Sequence, residues 1–355
     1  MAFPLFKTKD ANCTKVYNLT DPADQTDYFK CKAGADIAKL KAYMQKNTFI
    51  VYLLGKKNSG KGTYSKILAS LVGKDLLEHF SVGDMIRAIS KEIQDPDKKI
   101  EIQDYLKNNY RGWIDADKLM AVIEGRDTKT LLPTELILAL VKREIAKKPK
   151  KTLFIDGFPR DMDQVSYSLF FRDLVGYRND PDVMVFIDVP TNVIAERIKW
   201  RRICPICQTS RSIKLLPTAY VEYDQNSKEF FIKCDNPECA GYKKERLVAK
   251  EGDNLGIGPI KDRLETDQKL MEKAMTLFGI PKVFLRNSVP VGEASNFVDD
   301  YELTPEFNFE IANGQIKTIQ KPWTVNDDKG VPSYSLMAQP VAVSLIKQLV
   351  GALGL

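Results

Sequence analysis

The chain has 355 residues, of which 44 % are apolar and 28 % charged, with a net charge of +6 and a single histidine. That is enough for a large core with two or three subdomains, and the mild positive charge suits anionic ligands without calling for nucleic acid. One histidine sets aside any histidine-rich metal site, and no apolar run reaches membrane-spanning length.

Residues 1–47 read as an N-terminal extension. Residues 1–10 are too short and too soon charged for a signal peptide, so a cytoplasmic setting with no membrane partner is expected. Ile37, Leu40 and Met44 have helical spacing. Cys13 and Cys31 are isolated and read as free, buried or half-buried thiols. Residues 49–54 form a continuous apolar run, which suits a strand covered on both faces in a parallel sheet. Gly55 ends it, and Gly55, Asn58, Ser59, Gly60, Lys61, Gly62 and Thr63 lead into a helix. Backbone N–H groups, a helix N-terminus and a lysine at that spacing make a phosphate cradle. Asn58 stands where left-handed backbone is expected.

Further on, His79 reads as a polar residue at a strand start, and Asp84 as the N-cap of the next helix. Residues 88–131 are helical in pattern, with breaks near Pro96 and Gly112. Residues 152–155 are a short buried strand. Asp156 lies at its C-terminal edge, where open α/β sheets place ligands and where a carboxylate holds Mg²⁺ through water. A third core strand covers residues 183–189. Cys204, Cys207, Cys234 and Cys239 form two short-spaced pairs around a β-rich excursion, a pattern that suits a four-sulfur structural Zn²⁺. Residues 281–287 supply the last core strand. Phe307, Phe309 and Ile311 alternate up to an Asn313-Gly314 hairpin turn, and a helix-like segment starts at Val341.

The GKGT of residues 60–63 in this setting resembles the nucleoside monophosphate kinases, with adenylate kinase the nearest member. The resemblance implies an α/β fold: a P-loop NTPase-type parallel sheet flanked by helices, with a helical acceptor-binding insertion and a small zinc-ribbon lid. It divides the chain into a core (residues 48–86, 146–200 and 262–292), an acceptor domain with an insertion (87–145), a lid (201–261) and a C-terminal extension (293–355). By the same resemblance, Arg87 in SVGDMIRA and Arg160 in DGFPR grip the acceptor phosphate. Gly157 lets the nucleotide approach, Gln164 reads the adenine edge, and Val82 stands where the family has threonine. Arg197 lies on the donor adenine, Arg201 reaches the transferring phosphoryl, and Arg263 and Lys250 return from the lid.

The implied reaction is ATP + AMP ⇌ 2 ADP with Mg²⁺, catalysed by a rigid core carrying two mobile flaps. A kinase of UMP, CMP or another monophosphate stays open, as does a nucleotide-binding scaffold with a decayed core. The oligomeric state is open, with a monomer favoured.

Overall fold

The computed structural model describes residues 3–125, 132–160, 162–167, 171, 176 and 180–355. The apolar run of the phosphate loop's strand becomes β1 (Ile50–Gly55), buried along its whole length. It sits at the middle of a five-stranded sheet with β2 (Leu77–Ser81), β3 (Thr152–Asp156), β4 (Asp182–Asp188) and β9 (Lys282–Arg286). The order is β2-β3-β1-β4-β9, and every pairing is parallel. All five strands therefore end on one edge. That edge is where β1 releases the phosphate loop and β3 presents Asp156, opposite Leu53 and Ser81. This is the α/β P-loop fold that the sequence led us to expect.

Helices α1 (Pro22–Met44), α2 (Lys61–Val72), α3 (Val82–Glu92), α4 (Pro96–Asn109), α5 (Ala116–Glu124) and α6 (Thr134–Ala146) follow in order. The breaks expected near Pro96 and Gly112 are present; Asp95 caps α4 ahead of Pro96. Residues 126–131, at the end of the long acceptor-side segment, lie outside the described residues. Helices α7 (Met162–Tyr167), α8 (Thr191–Lys199), α9 (Lys261–Met275) and α10 (Ala338–Ala352) complete the main set. Between α8 and α9 stand two short hairpins, β5–β6 (Arg201–Ile203, Ser210–Ser212) and β7–β8 (Val221–Asp224, Glu229–Ile232). Among the described residues no helix is long and apolar enough to cross a membrane.

Three local expectations are corrected. Helix α3 starts at Val82 and its N-cap is Ser81, whose side chain accepts from the Asp84 N–H. Asp84 thus sits one turn inside, where a carboxylate still favours the helix dipole. His79 lies in the middle of β2 rather than at its start. Its Nδ1 is 2.9 Å from Ser65 Oγ, and its ring rests against Gly62. Cys13 and Cys31 are joined in a disulfide. Chain folding sets the thiols side by side, which an 18-residue spacing does not reveal.

The two extensions brace the core. Helix α10 buries Val341, Leu345, Ile346 and Leu349 against it, and full burial of such side chains is worth about 1.5–3 kcal/mol each. The hairpin of β11 (Pro305–Ala312) and β12 (Gln315–Pro322) turns at Asn313-Gly314, both with positive φ, as that dipeptide favours. The strands β10 (Ser288–Pro290), β13 (Thr324–Asn326) and β14 (Pro332–Ser335) make a second small sheet.

One carboxylate locks the termini together. Glu302 is fully buried; it accepts from the hydroxyls of Tyr28 and Thr8, at 2.6 Å each, and from the Asp299 N–H at 2.8 Å. Glu302→Ala would strand two buried hydroxyls and an amide, each at about 1–3 kcal/mol. We expect it to lower the urea unfolding free energy by about 3 kcal/mol or more. A loss below about 1 kcal/mol would show that the termini dock without it.

Candidate nucleotide-binding and phosphoryl-transfer site

The phosphate loop is shaped by backbone that only certain residues tolerate. Asn58 adopts φ +67 and Gly60 φ +98, and a Cβ on Gly60 would meet the Tyr64 ring at 3.1 Å. At Gly55 a Cβ would lie 2.7 Å from Ser59 Oγ, so the fully buried Ser59 packs directly under the loop's first residue. Lys61 opens α2, and its Nζ turns back to the carbonyls of Gly55 (2.8 Å) and Lys56 (3.2 Å), with Asp156 at 3.8 Å. Burial holds its ammonium below the usual lysine range, with Asp156 and Asp267 opposing that shift and Arg263 and Arg160 adding to it. The structure thus brings Arg160 and Arg263 within electrostatic reach of Lys61.

Lys57 reports the same gathering. Partial removal from water lowers its pKa, followed in order by Arg263, Lys250, Arg160 and Arg201. These four cations come from the β3–α7 turn, the start of β5, the ribbon's return and α9, and together span about a hundred positions of the chain. Like charges held together in low dielectric destabilise one another unless an anion joins them. Part of that anion is already present: Asp267 on α9 pairs with Arg263 at 2.8 Å and accepts from the Lys57 N–H at 2.8 Å. Asp253 takes Arg201 through two hydrogen bonds, at 2.8 and 2.5 Å. Lys250 is exposed.

Sequence reading missed Lys57 and Asp267 in these positions. A loop lysine beside Lys56 carries no signal of its own, and a carboxylate four residues after Arg263 looks like any helix ion pair.

On the acceptor side Arg160 and Arg87 converge. A Cβ on Gly83 would stand 3.4 Å from Arg160 Nη2 and 3.6 Å from Arg87 Nη1. Gly157 has φ +85 and leaves room beside the Arg160 guanidinium. Arg87 is largely exposed and pairs with Asp84. Val82 is buried in the apolar core with Phe80 and Met85. Gln164 is also fully buried: its Oε1 accepts from the Arg160 N–H at 2.7 Å, and its Nε2 donates to Thr134 Oγ1 at 3.2 Å. Its amide therefore braces the arginine turn in this structure.

On the donor side a cavity of about 1270 Å³ runs from Asn58–Tyr64 past Arg197 and Arg201 to ribbon residues and to Trp323 and Met337 of the C-terminal extension. Thr63 is exposed at its floor. Extension and ribbon are joined: the Phe307 N–H donates to Lys214 O at 2.8 Å, Lys214 pairs with Glu306 at 2.9 Å, and Phe309 packs on Phe230. The ribbon is thus held from outside as well as through its own hinges.

The four ribbon cysteines converge. All their sulfurs lie within 4.8 Å of one another; Cys204 and Cys239 are 3.9 Å apart, and Cys207 and Cys234 3.7 Å. A tetrahedron of sulfurs around an ion at about 2.3 Å has edges of about 3.8 Å, so the donor set fits a Zn²⁺-sized ion. As thiols Cys207 and Cys234 are ill matched: hydrogen bonding to Thr209 pulls Cys207 down to about 6, and burial pushes Cys234 up to about 12.

The comparisons with known proteins agree with this geometry. A family described as an AAA domain matches residues 54–203. An adenylate kinase of Hydrogenobaculum sp. is 31 % identical over 165 residues, covering 46 % of this chain and 65 % of its own, just under two thirds. An adenylate kinase of Thermotoga neapolitana is 29 % identical over 189 residues, 53 % of this chain and 74 % of its own. One of Clostridium kluyveri is 31 % identical over 230 residues, which is 64 % of this chain and 85 % of that protein. With the parallel sheet, the glycine-lysine loop and the converging arginines in place, the chain belongs to the adenylate kinase family of P-loop nucleotide kinases.

Proposed function

We propose that this protein is an adenylate kinase, transferring the γ-phosphoryl of ATP to AMP. The observation that carries the proposal is the cation cluster: Arg160, Arg201, Lys250 and Arg263 lie within electrostatic reach of Lys57, Arg160 and Arg263 also within reach of Lys61, and Arg160 stands beside Arg87. Phosphoryl transfer needs little covalent help, only in-line placement of two nucleotides and dense positive charge around the moving group. In this reading the loop amides and Lys61 hold the donor phosphates. Arg160 and Arg87 hold the acceptor phosphate, and Arg201 and Arg263 face the transferring group. Asp156 would hold Mg²⁺ through water, and the ion supplies charge neutralisation on the donor phosphates. Residues 201–261 would act as a lid that excludes water, so that AMP rather than water receives the phosphoryl.

A second reading, a kinase of another monophosphate, is favoured by one observation. The Gln164 amide is fully buried and bonded to the Arg160 N–H and to Thr134, so reading adenine would require the side chain to turn out of this setting.

Two outcomes are expected. With Mg·ATP as donor, AMP should exceed UMP, CMP and GMP at least tenfold in kcat/KM, and Lys61→Ala should cut kcat about a hundredfold or more. A pyrimidine preference would overturn the AMP assignment. ATP binding without transfer to any monophosphate would leave a nucleotide-binding scaffold instead. Separately, the purified protein should carry one zinc per chain by elemental analysis. A strong chelator should release it and open residues 201–261 to proteolysis. Metal far below one per chain would remove the zinc assignment.

A further inference from the structure

We infer that Asn287, held by the C-terminal extension, is a positioning residue for the donor nucleotide: it fixes the Arg197 guanidinium in the cavity wall beside the phosphate loop. This rests on the kinase reading above and adds to it a residue outside the motifs that support that reading.

Arg197 is a cation with an unusual setting. It lines the donor cavity next to Asn58–Tyr64, and burial lowers its pKa. Among the described residues it makes no ion pair with a carboxylate. Its edge is held instead by neutral acceptors: Nη1 donates to Asn58 O at 3.5 Å and Nη2 to Asn287 Oδ1 at 3.1 Å. Two of its five N–H groups are held by the protein, which fixes the plane of the guanidinium; its faces then offer a flat ligand a surface on which a nucleobase stacks favourably. A half-buried charge left without a counter-charge is unfavourable unless a ligand uses it.

Asn287 is 1 % exposed and every polar group it has is engaged. Its backbone bonds Asp188 O and receives the Leu336 N–H, so it stitches the end of β9 to the extension. Its Nδ2 donates to Leu336 O at 3.1 Å, and Ser335 Oγ donates to its Oδ1 at 3.1 Å. The Leu336 carbonyl, which can only accept, determines which way the amide faces, and Ser335 Oγ supports that orientation. A flipped amide would set its NH₂ against the Arg197 N–H and its oxygen against the Leu336 carbonyl. The extension therefore presents an acceptor, and only an acceptor, to Arg197. On its other side Arg197 donates to Asn58 O of the phosphate loop. Loop, arginine and extension are thereby set in register.

The test is steady-state kinetics on wild type, Asn287→Ala, Asn287→Asp, Arg197→Ala and the Asn287→Ala/Arg197→Ala double variant. Asn287→Ala is expected to raise KM for ATP about tenfold while KM for AMP stays within twofold. Asn287→Asp keeps an acceptor for Arg197 but loses the donor to Leu336, and should hold KM for ATP within about threefold of wild type. The double variant should match Arg197→Ala alone, since the first residue acts through the second. Equal damage by Ala and Asp, a parallel rise in KM for AMP, additivity in the double variant, or no change in KM for ATP would each overturn the inference. If Asn287→Ala does not melt cooperatively, Ser335→Ala replaces it, with a rise in KM for ATP of about threefold expected and no rise overturning the proposal. Should wild type transfer no phosphoryl group, the kinase reading fails by itself. The same comparisons made on ATP affinity by calorimetry then decide the role of Asn287.

Discussion

The structure depends on one electrostatic constraint: several cationic side chains are held close together, partly out of water, at the C-terminal edge of a parallel sheet. Lys61 is pushed toward neutrality by burial, and Arg160 and Arg263 push it further. Such an arrangement is costly in an empty protein, and the surrounding fold limits the cost with a few carboxylates. Asp267 ties Arg263 to the loop backbone at Lys57, Asp253 holds Arg201, and Asp156 faces Lys61. The remaining imbalance is what a polyphosphate would relieve.

The terminal segments serve that constraint by holding its walls. Glu302 joins the N-terminal segment, α1 and the C-terminal region through a buried network, and Lys32 adds an ion pair with Asp299. From that base the chain reaches the site at two points. Asp328 accepts from the Thr191 N–H and pairs with the buried Lys56, the residue that follows β1. The β11–β12 hairpin grips the cysteine ribbon through Lys214 and Phe230. The ribbon expected from sequence as a mobile flap is tied in this fold to the C-terminal hairpin by these contacts.

Some of this was legible from residue order. A strand that is apolar without alternation, a glycine-bearing loop, a lysine and a helix form a local unit, and its conformation follows from its own φ/ψ preferences, as Asn58 and Gly60 show. Paired cysteines at short spacing are local in the same sense, and the four sulfurs do converge. The N-cap at Ser81 in place of Asp84 was a miss of three residues within one motif, where two good capping residues competed. The Cys13–Cys31 bond and the bracing amide of Gln164 were not legible, because each depends on a partner that another segment brings.

By itself, then, the sequence determined the phosphate loop, the strand–helix alternation, the cysteine pairs and the identity of the arginines. Those features arise from neighbours in the chain, where backbone preference and side-chain spacing act within a few residues. Only the tertiary structure decided that Lys57 and Asp267 belong to the site, that Gln164 is occupied, and that the C-terminal extension reaches Arg197 through Asn287. Each of those depends on long-range burial and charge, and Coulombic and desolvation terms are set by distances in space that residue order does not encode.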